Sequence, residues 1–302
     1  MVNHSTLAKF ITQKGDLNEL CQSVFENNIE NCKKMYRGFN LKLDEDIFSD
    51  KEINYYSRIA ETEISDSMKN FSHLYISIFK DKNILDAKQI MKEYFPQYNR
   101  FDIFLSHSHN DINLALTIAG ILKKEFHLNV FVDSIVWKNC TDLLRSIDNE
   151  YCRIKKGSYD YNKRNYSTSH IYLILMNSLN IMIDECETLF FLNTPNSISL
   201  EDNLDNLDDL DRTLSPWIFS ELQTSKIIRK KIPNRNIPLM ESTKYFSTDL
   251  KISYPLELDH LTEMSQDDFS EWIYRDCNNP NEALDNLYEM YPLDHNINID
   301  FS

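Results

Sequence analysis

The sequence predicts an α/β protein, in which a parallel β-sheet is covered by helices on both faces and is preceded by a helical region. Three observations support this fold class. After residue 97, short apolar runs alternate with longer stretches of helical periodicity, as in βαβ units. Before that point the periodicity is helical. The first apolar run also ends abruptly in small polar residues and histidines, as strands that border a ligand site do.

Residues 1–97 are predicted to form a helical accessory domain. A first helix carries an apolar face with the spacing of three and four residues, from Leu17 to Cys32. Ser49 and Glu52 form an S-x-x-E capping box that opens a second helix. A third helical pattern stops at Pro96. Nothing in this region points to chemistry, so we expect it to serve self-association or sensing.

The elements that follow predict the first three strands of the sheet. Residues 101–105 form the first strand, and Asp111 is placed to cap the helix after it. The segment 129–133 is the second strand. A long apolar helix over 167–186 then leads into the third strand, 188–195. We therefore expect the carboxyl ends of these strands to share one edge of the sheet.

The last part of the chain predicts two more helices and a fourth strand. Ser215 and Pro216 have the chemistry of an N-cap residue followed by a proline in the first helical position. The segment 252–258 is predicted as the fourth strand, and a helix through Trp272 follows it. These elements continue the alternation that defines the fold class.

The composition excludes several classes of function. A formal charge of −15 over 302 residues argues against binding to nucleic acid or to an anionic membrane, because both need basic surface. Only 4 glycines occur, and their spacing forms neither the dinucleotide nor the P-loop motif. The 6 cysteines form no CxxC pair, so we expect reduced thiols and no metal site. The chain contains no apolar run of membrane-span length and no signal-peptide stretch, and we expect a cytoplasmic protein.

A cluster of polar residues follows the first predicted strand. Ser106, His107, Ser108 and His109 come directly after its apolar residues. In parallel sheets, ligands bind outside the carboxyl ends of the strands, near the point where strand order reverses. The alternative is that the two histidines only form hydrogen bonds within the loop and contact no ligand. These four residues are therefore candidates for ligand binding.

Three motifs in order resemble the Toll/interleukin-1 receptor (TIR) family in its bacterial form. They are "FDIFLSHSHND", then "VFVD", then "SPWIFSEL" with a W-x-x-x-E spacing. The resemblance covers roughly residues 98–275 and implies a flavodoxin-like, five-stranded sheet. We accordingly assign residues 98–302 to a TIR-like domain with insertions, one of them the acidic loop 201–212, and a C-terminal helical extension.

The resemblance also implies an activity. Similar domains in bacterial anti-phage systems, including the Thoeris class, cleave NAD to make signalling nucleotides. By its place in the motif, Glu221 corresponds to the catalytic glutamate of those enzymes. Ser106, His107, Ser108 and His109 fall where the family surrounds the nucleotide. NAD would be the substrate, and no separate cofactor is implied.

Three further residues are candidates for the substrate site. Trp217 lies one helical turn before Glu221 on the same face, where it either packs in the core or forms a supporting wall of the site. Asp133 ends the second strand, where it either caps a turn or faces the ligand. Trp137 either lines the pocket or packs beneath it.

Two other functions compete with NAD cleavage. The first is a non-catalytic TIR scaffold that acts through protein assembly and leaves Glu221 idle. The second, a phosphotransfer receiver, is disfavoured because Asn193 stands where the third strand should provide a phosphoacceptor aspartate. For the enzyme we expect self-association through the TIR and N-terminal regions, and a downstream effector that binds the product.

Overall fold

The computed structural model describes residues 34–44, 47–68, 85–96, 101–137, 140–198, 212–233 and 254–292. The chain divides into two compact units, residues 1–33 and 34–302, and all described residues belong to the second unit. The helix predicted from Leu17 to Cys32 lies outside the described residues, as does most of the acidic loop 201–212.

The centre of the described structure is a five-stranded parallel sheet. Its strands are β1 (Arg37–Lys42), β2 (Ile103–Ser106), β3 (Val130–Phe131), β4 (Thr188–Asn193) and β5 (Thr262–Met264). They lie in the order β3-β2-β4-β1-β5, and every neighbouring pair is parallel. The predicted α/β class with a parallel sheet is confirmed, and so are the strands predicted at 101–105, 129–133 and 188–195.

Strand β1 is the main departure from the prediction. Residues 1–97 were expected to be helical throughout, which is wrong at Arg37–Lys42. This strand pairs with β4 on one side and β5 on the other, so it is interior to the sheet. If β2, β3 and β4 are numbered 1, 2 and 3 in chain order, they lie in the sheet in the order 2-1-3, as in flavodoxin-like folds. The fourth place is taken by β1, which precedes β2 in the chain.

Of the predicted fourth strand, 252–258, the described residues 254–258 do not join the sheet. Among them, Tyr254–Pro255 pair with Arg212–Thr213 in a separate two-stranded antiparallel bridge. A second small antiparallel pair joins Arg153–Lys155 to Ser158–Tyr159. The sheet instead ends in β5, which directly precedes a helix.

Nine α-helices occur in the described residues. They are α1 (Asp50–Met68), α2 (Ala87–Tyr94), α3 (Ile112–Phe126), α4 (Asp133–Val136), α5 (Cys140–Ile147), α6 (Tyr161–Glu185), α7 (Pro216–Ile227), α8 (Gln266–Ile273) and α9 (Pro280–Met290). None of the helices in the described part of the chain is both long and apolar enough to cross a membrane.

Local chemistry explains where several helices begin. The predicted capping box opens α1, because the Ser49 hydroxyl accepts from the backbone N–H of Glu52 and the Glu52 carboxylate accepts from that of Ser49. At the start of α7, the Ser215 hydroxyl accepts from the backbone N–H of Ile218, and Pro216 occupies the first helical position. Both predicted N-termini are confirmed.

The two faces of the sheet carry separate apolar cores. Alternation along β2 sends Phe104 to one face, and Ile103 and Leu105 to the other. Helices α2, α5, α6 and α7 cover the Phe104 face, whereas α1, α3, α8 and α9 cover the opposite face. Ser106 is two residues beyond Phe104, so its side chain points to the face that α7 covers.

Helix α1 packs unusually closely against α3. A Cβ atom built on Gly120 would lie 2.0 Å from the backbone oxygen of Tyr56, so only glycine fits there without displacing the α1 backbone. One turn earlier on α3, the hydroxyl of Thr117 lies 3.4 Å from that of Ser57. This contact anchors α3, whose first turn follows the polar cluster at the end of β2.

Candidate active site

The candidate site lies where the order of the strands reverses. The chain passes from β2 to β3 on one side of the sheet and then crosses to β4 on the other side of β2. The carboxyl ends of β2 and β4 therefore border the crevice in which α/β proteins bind ligands. Ser106 is the last residue of β2, and α7 packs on the face to which its side chain points.

A hydrogen bond between Ser106 and Glu221 is the core of the site. The Ser106 hydroxyl donates to Oε2 of Glu221 over 2.7 Å. Both residues are buried, with 1% and 4% of their surface exposed. Glu221 is in the second turn of α7, a position fixed by the Ser215 cap and Pro216. In the described part of the chain, no donor to Oε1 of Glu221 is present.

The surroundings of Glu221 strongly favour its neutral form. Burial is the largest effect and raises the pKa of the carboxyl well above its ordinary value. The negative charge of Asp133 raises this pKa further. The hydrogen bond from Ser106 acts in the opposite direction, because it stabilises the ionised carboxylate. A buried carboxyl with a strongly shifted pKa at a ligand crevice is typical of catalytic sites.

His107 and Asp133 border this carboxyl from the β3 side. The Nδ1 atom of His107 lies 3.0 Å from the backbone oxygen of Leu105. Because a carbonyl oxygen only accepts, Nδ1 carries the hydrogen, and Nε2 can accept from the Ser134 hydroxyl at 3.4 Å. The carboxylate of Asp133 is 4.0 Å from His107 Nδ1. The structure therefore brings four predicted site residues together, namely Ser106, His107, Asp133 and Glu221.

The other four predicted residues take different positions. Ser108 is half-buried and precedes a short 3-10 turn, and His109 is exposed in that turn. Trp217 is half-buried, with its ring 5.5 Å from that of Tyr172 on α6. Trp137 packs in the core, where its indole N–H donates to the backbone oxygen of Pro96. The Trp137 ring contacts the rings of Phe95 and Phe131, so this residue is part of the apolar core.

Asp111 links the two strand ends that border the crevice. Its carboxylate accepts from the hydroxyl of Thr194 and from the side-chain amide of Asn196, each over 2.6 Å. Asp111 does occupy the N-cap position of α3, as predicted. The prediction that its side chain caps the helix is wrong, because the side chain makes no capping hydrogen bond. Both donors follow β4, and no local pattern predicts a bond across so long a stretch of chain.

A second polar set crosses the sheet next to the site. The Asn193 amide donates to Oδ1 of Asn40 over 3.0 Å, and the Asn40 amide donates to Glu263 over 2.7 Å. Asn40 is fully buried in the middle of β1. Its pairing partner Phe191 lies on the Ser106 face, so this polar row shares that face. No sequence pattern predicted this row, because Asn40 lies in a segment that resembles a loop and its partners follow much later in the chain.

The site contains no evident metal-binding group. Within the ranges that the structure describes, no three His, Cys, Asp or Glu residues are grouped to hold a metal ion.

Comparison of the chain with protein-family models, with curated proteins and with solved structures gives no match. Fold and site together define an α/β protein with a parallel sheet covered on both faces and a buried carboxyl at its switch point.

Proposed function

We propose that this protein is a TIR-type enzyme that cleaves NAD between ribose C1′ and nicotinamide, and that its ADP-ribosyl product is a signal in bacterial anti-phage defence. The observation that carries the proposal is the buried Glu221 carboxyl, hydrogen-bonded by Ser106 at the carboxyl end of β2. The sequence resemblance assigns the catalytic role to this same glutamate. Its position at the switch point of the sheet supports a ligand there.

The chemistry requires Glu221 in its ionised form. As the bond from C1′ to the nicotinamide nitrogen breaks, its electron pair neutralises the pyridinium ring and positive charge develops on the ribose. A carboxylate at this place stabilises that charge where it forms. Ser106 favours the ionised form, whereas burial and Asp133 oppose it. The enzyme would therefore gain activity as pH rises through the raised pKa of Glu221.

The product depends on the group that attacks C1′. Water gives linear ADP-ribose, a group of the same dinucleotide gives a cyclic product, and an added small molecule gives a conjugate. In each case the nucleophile forms a bond to C1′. A water or hydroxyl nucleophile releases its proton to solvent, whereas a ring nitrogen that bears no hydrogen takes up the positive charge. Nicotinamide leaves as a neutral ring, so no second carboxylic acid is required to protonate it.

The test is release of nicotinamide from NAD by the purified full-length chain, with mass spectrometry of the other product. Glu221→Gln preserves the size of the side chain and removes its charge, and we expect a loss of about 100-fold or more. Glu187→Gln is the matched control, because Glu187 is also buried but accepts from Tyr288 instead. The control should retain the parent rate, and both variants should unfold cooperatively.

The competing function is a TIR scaffold without catalysis. One observation favours it: Glu221 is only 4% exposed, as a purely structural carboxyl would be. The assay distinguishes the two functions if it is run over a range of protein concentrations, because an enzyme completed by self-association becomes more active per molecule as it assembles. A parent chain that releases no nicotinamide at any concentration, assembled or not, would contradict NAD cleavage.

A further inference from the structure

A groove separate from the Glu221 site opens beside the first half of α6. Its volume is about 780 Å³, within the range of small-molecule sites. Helix α2, the turn after α5 and helix α6 form its walls. Four isoleucines form an apolar floor: Ile90, Ile147, Ile171 and Ile174. None of Ser106, His107, Asp133 and Glu221 lines it.

The rim of the groove is aromatic and carries one cation. Tyr166 is 69% exposed, and its ring lies 4.3 Å from that of His170. Lys163 lines the same rim. The neighbouring Arg164 is paired with Asp148 at 2.7 Å, but within the described ranges no carboxylate forms an ion pair with Lys163. The rim thus offers a flat ring surface and a positive charge that is not neutralised.

The segment around Lys163 is basic in a strongly acidic protein. Between residues 153 and 164 there are five basic residues, Arg153, Lys155, Lys156, Lys163 and Arg164, against one acidic residue, Asp160. The Asp160 carboxylate accepts from the backbone N–H of Lys163 as the cap of α6. The whole chain carries −15, so this segment is a locally basic part of the described surface and attracts anions.

We propose that this groove binds an amphipathic organic anion. Its apolar body, a ring system or a short acyl chain, would lie on the isoleucine floor against Tyr166, and its single anionic group would lie at Lys163. The floor and the exposed aromatic rim favour an apolar body, and the charge of the rim favours an anion over a neutral ligand. The groove has the size of a small-molecule site, whereas a nucleic acid would need an extended basic track.

Fluorescence titration with two matched probes tests the proposal on the full-length chain. The anionic probe is 1-anilinonaphthalene-8-sulfonate, and the neutral probe is N-phenyl-1-naphthylamine, which has the same rings without the sulfonate. Ala87 is exposed in the first turn of α2 and lines the groove, so Ala87→Trp should place an indole ring there and block part of the groove. We expect this variant to lose at least about 10-fold in affinity for both probes. Lys88→Trp adds the same ring outside the groove and should change neither affinity.

The charge is tested at the rim. Lys163→Gln should weaken the anionic probe by about 5-fold and leave the neutral probe unchanged, as expected for a partly exposed ion pair. Lys155→Gln removes a nearby lysine that does not line the groove and should have no effect. Unchanged binding of both probes to Ala87→Trp would overturn the site, provided that the variant unfolds cooperatively. The anionic contact would be overturned if Lys163→Gln weakened both probes equally. It would also be overturned if Lys155→Gln weakened the anionic probe as much as Lys163→Gln does.

Discussion

Replacing Ser106 with alanine should move the pH dependence of NAD cleavage to higher pH. The Ser106 hydroxyl donates to Glu221 over 2.7 Å and is the contact that lowers the pKa of this carboxyl. Burial and Asp133 both raise the same pKa. Ser106→Ala retains the Cβ atom in a residue that is 1% exposed, so it removes the hydroxyl with little change in packing. The ionised form of Glu221 then loses its stabilising partner.

The size of the effect follows from the strength of this bond. A hydrogen bond to a charged group contributes about 1.5–3 kcal/mol. Some of that contribution is also made to the protonated carboxyl, so the difference between the two forms is at the lower end, about 1.5 kcal/mol. Since about 1.4 kcal/mol corresponds to a factor of 10, the ionised fraction at a pH below the pKa falls about 10-fold. The rate should fall by the same factor there and recover at higher pH.

The assay measures initial rates of nicotinamide release over the pH range in which the raised carboxyl titrates. Ser178→Ala is the matched control, because Ser178 is a fully buried serine on α6 whose hydroxyl, among the described residues, donates to the backbone oxygen of Ile174 alone. Its pH profile should coincide with that of the parent. The reasoning is refuted if Ser106→Ala has the parent profile, or if its loss of rate is the same at every pH.

Three further outcomes are expected. In Glu221→Gln, the free energy of unfolding should exceed that of the parent at neutral pH, and the difference should fade as pH falls toward 4.5, the ordinary pKa of the carboxyl. The reason is that the folded parent binds a proton which the unfolded chain releases, so its stability falls as pH rises between the two pKa values; denaturant unfolding at several pH values checks this. Gly120→Ala should lose about 2–3 kcal/mol of stability because the new methyl group meets the Tyr56 backbone. By contrast, Gly157→Ala, which meets no atom within 4 Å at a φ of +77°, should lose about 1 kcal/mol. A chain lacking residues 1–97 should show no cooperative unfolding because it lacks β1, whereas one lacking 1–33 retains all five strands; a cooperative transition in 98–302 would contradict this.

Helix ends were predictable because their chemistry is local. Ser49 with Glu52, and Ser215 with Pro216, place donors and acceptors within three residues of each other. Such bonds depend little on the rest of the fold. Asp111 is also a residue type that caps helices and stands at the N-cap position of α3, yet its carboxylate bonds to residues that follow β4. There, partners from another part of the chain provide two hydrogen bonds in place of one cap.

Strand β1 was not predictable from its own residues. Its sequence RGFNLK contains only two apolar side chains, Phe39 and Leu41, and both lie in the core on the α3 face. The other face carries Gly38 and Asn40, which make the segment resemble a loop. Asn40 is acceptable inside the sheet because its amide group bonds to Asn193 and Glu263. Those partners come from β4 and β5, so the strand is specified by tertiary contacts.

The candidate site was predictable where its residues belong to local motifs, and not where it depends on contacts between distant parts of the chain. Motif order pointed to Glu221, and the polar residues after the first strand pointed to Ser106. The bond between them joins positions 115 residues apart, and the influence of Asp133 on Glu221 depends on how β3 and α7 meet. A pKa shift produced by burial and by a distant charge has no signature in a single sequence.

The place of β1 also changes what a chain that retains the candidate site must contain. A TIR-like domain beginning at residue 98 would leave the fourth place of the sheet empty, between β4 and β5. Asn193, at the end of β4, would then lose its partner Asn40, which β1 supplies. The carboxyl end of β4 borders the same crevice as Ser106. Strand β1 therefore contributes to the shape of the candidate site, and an assay of NAD cleavage has to be made on a chain that includes it.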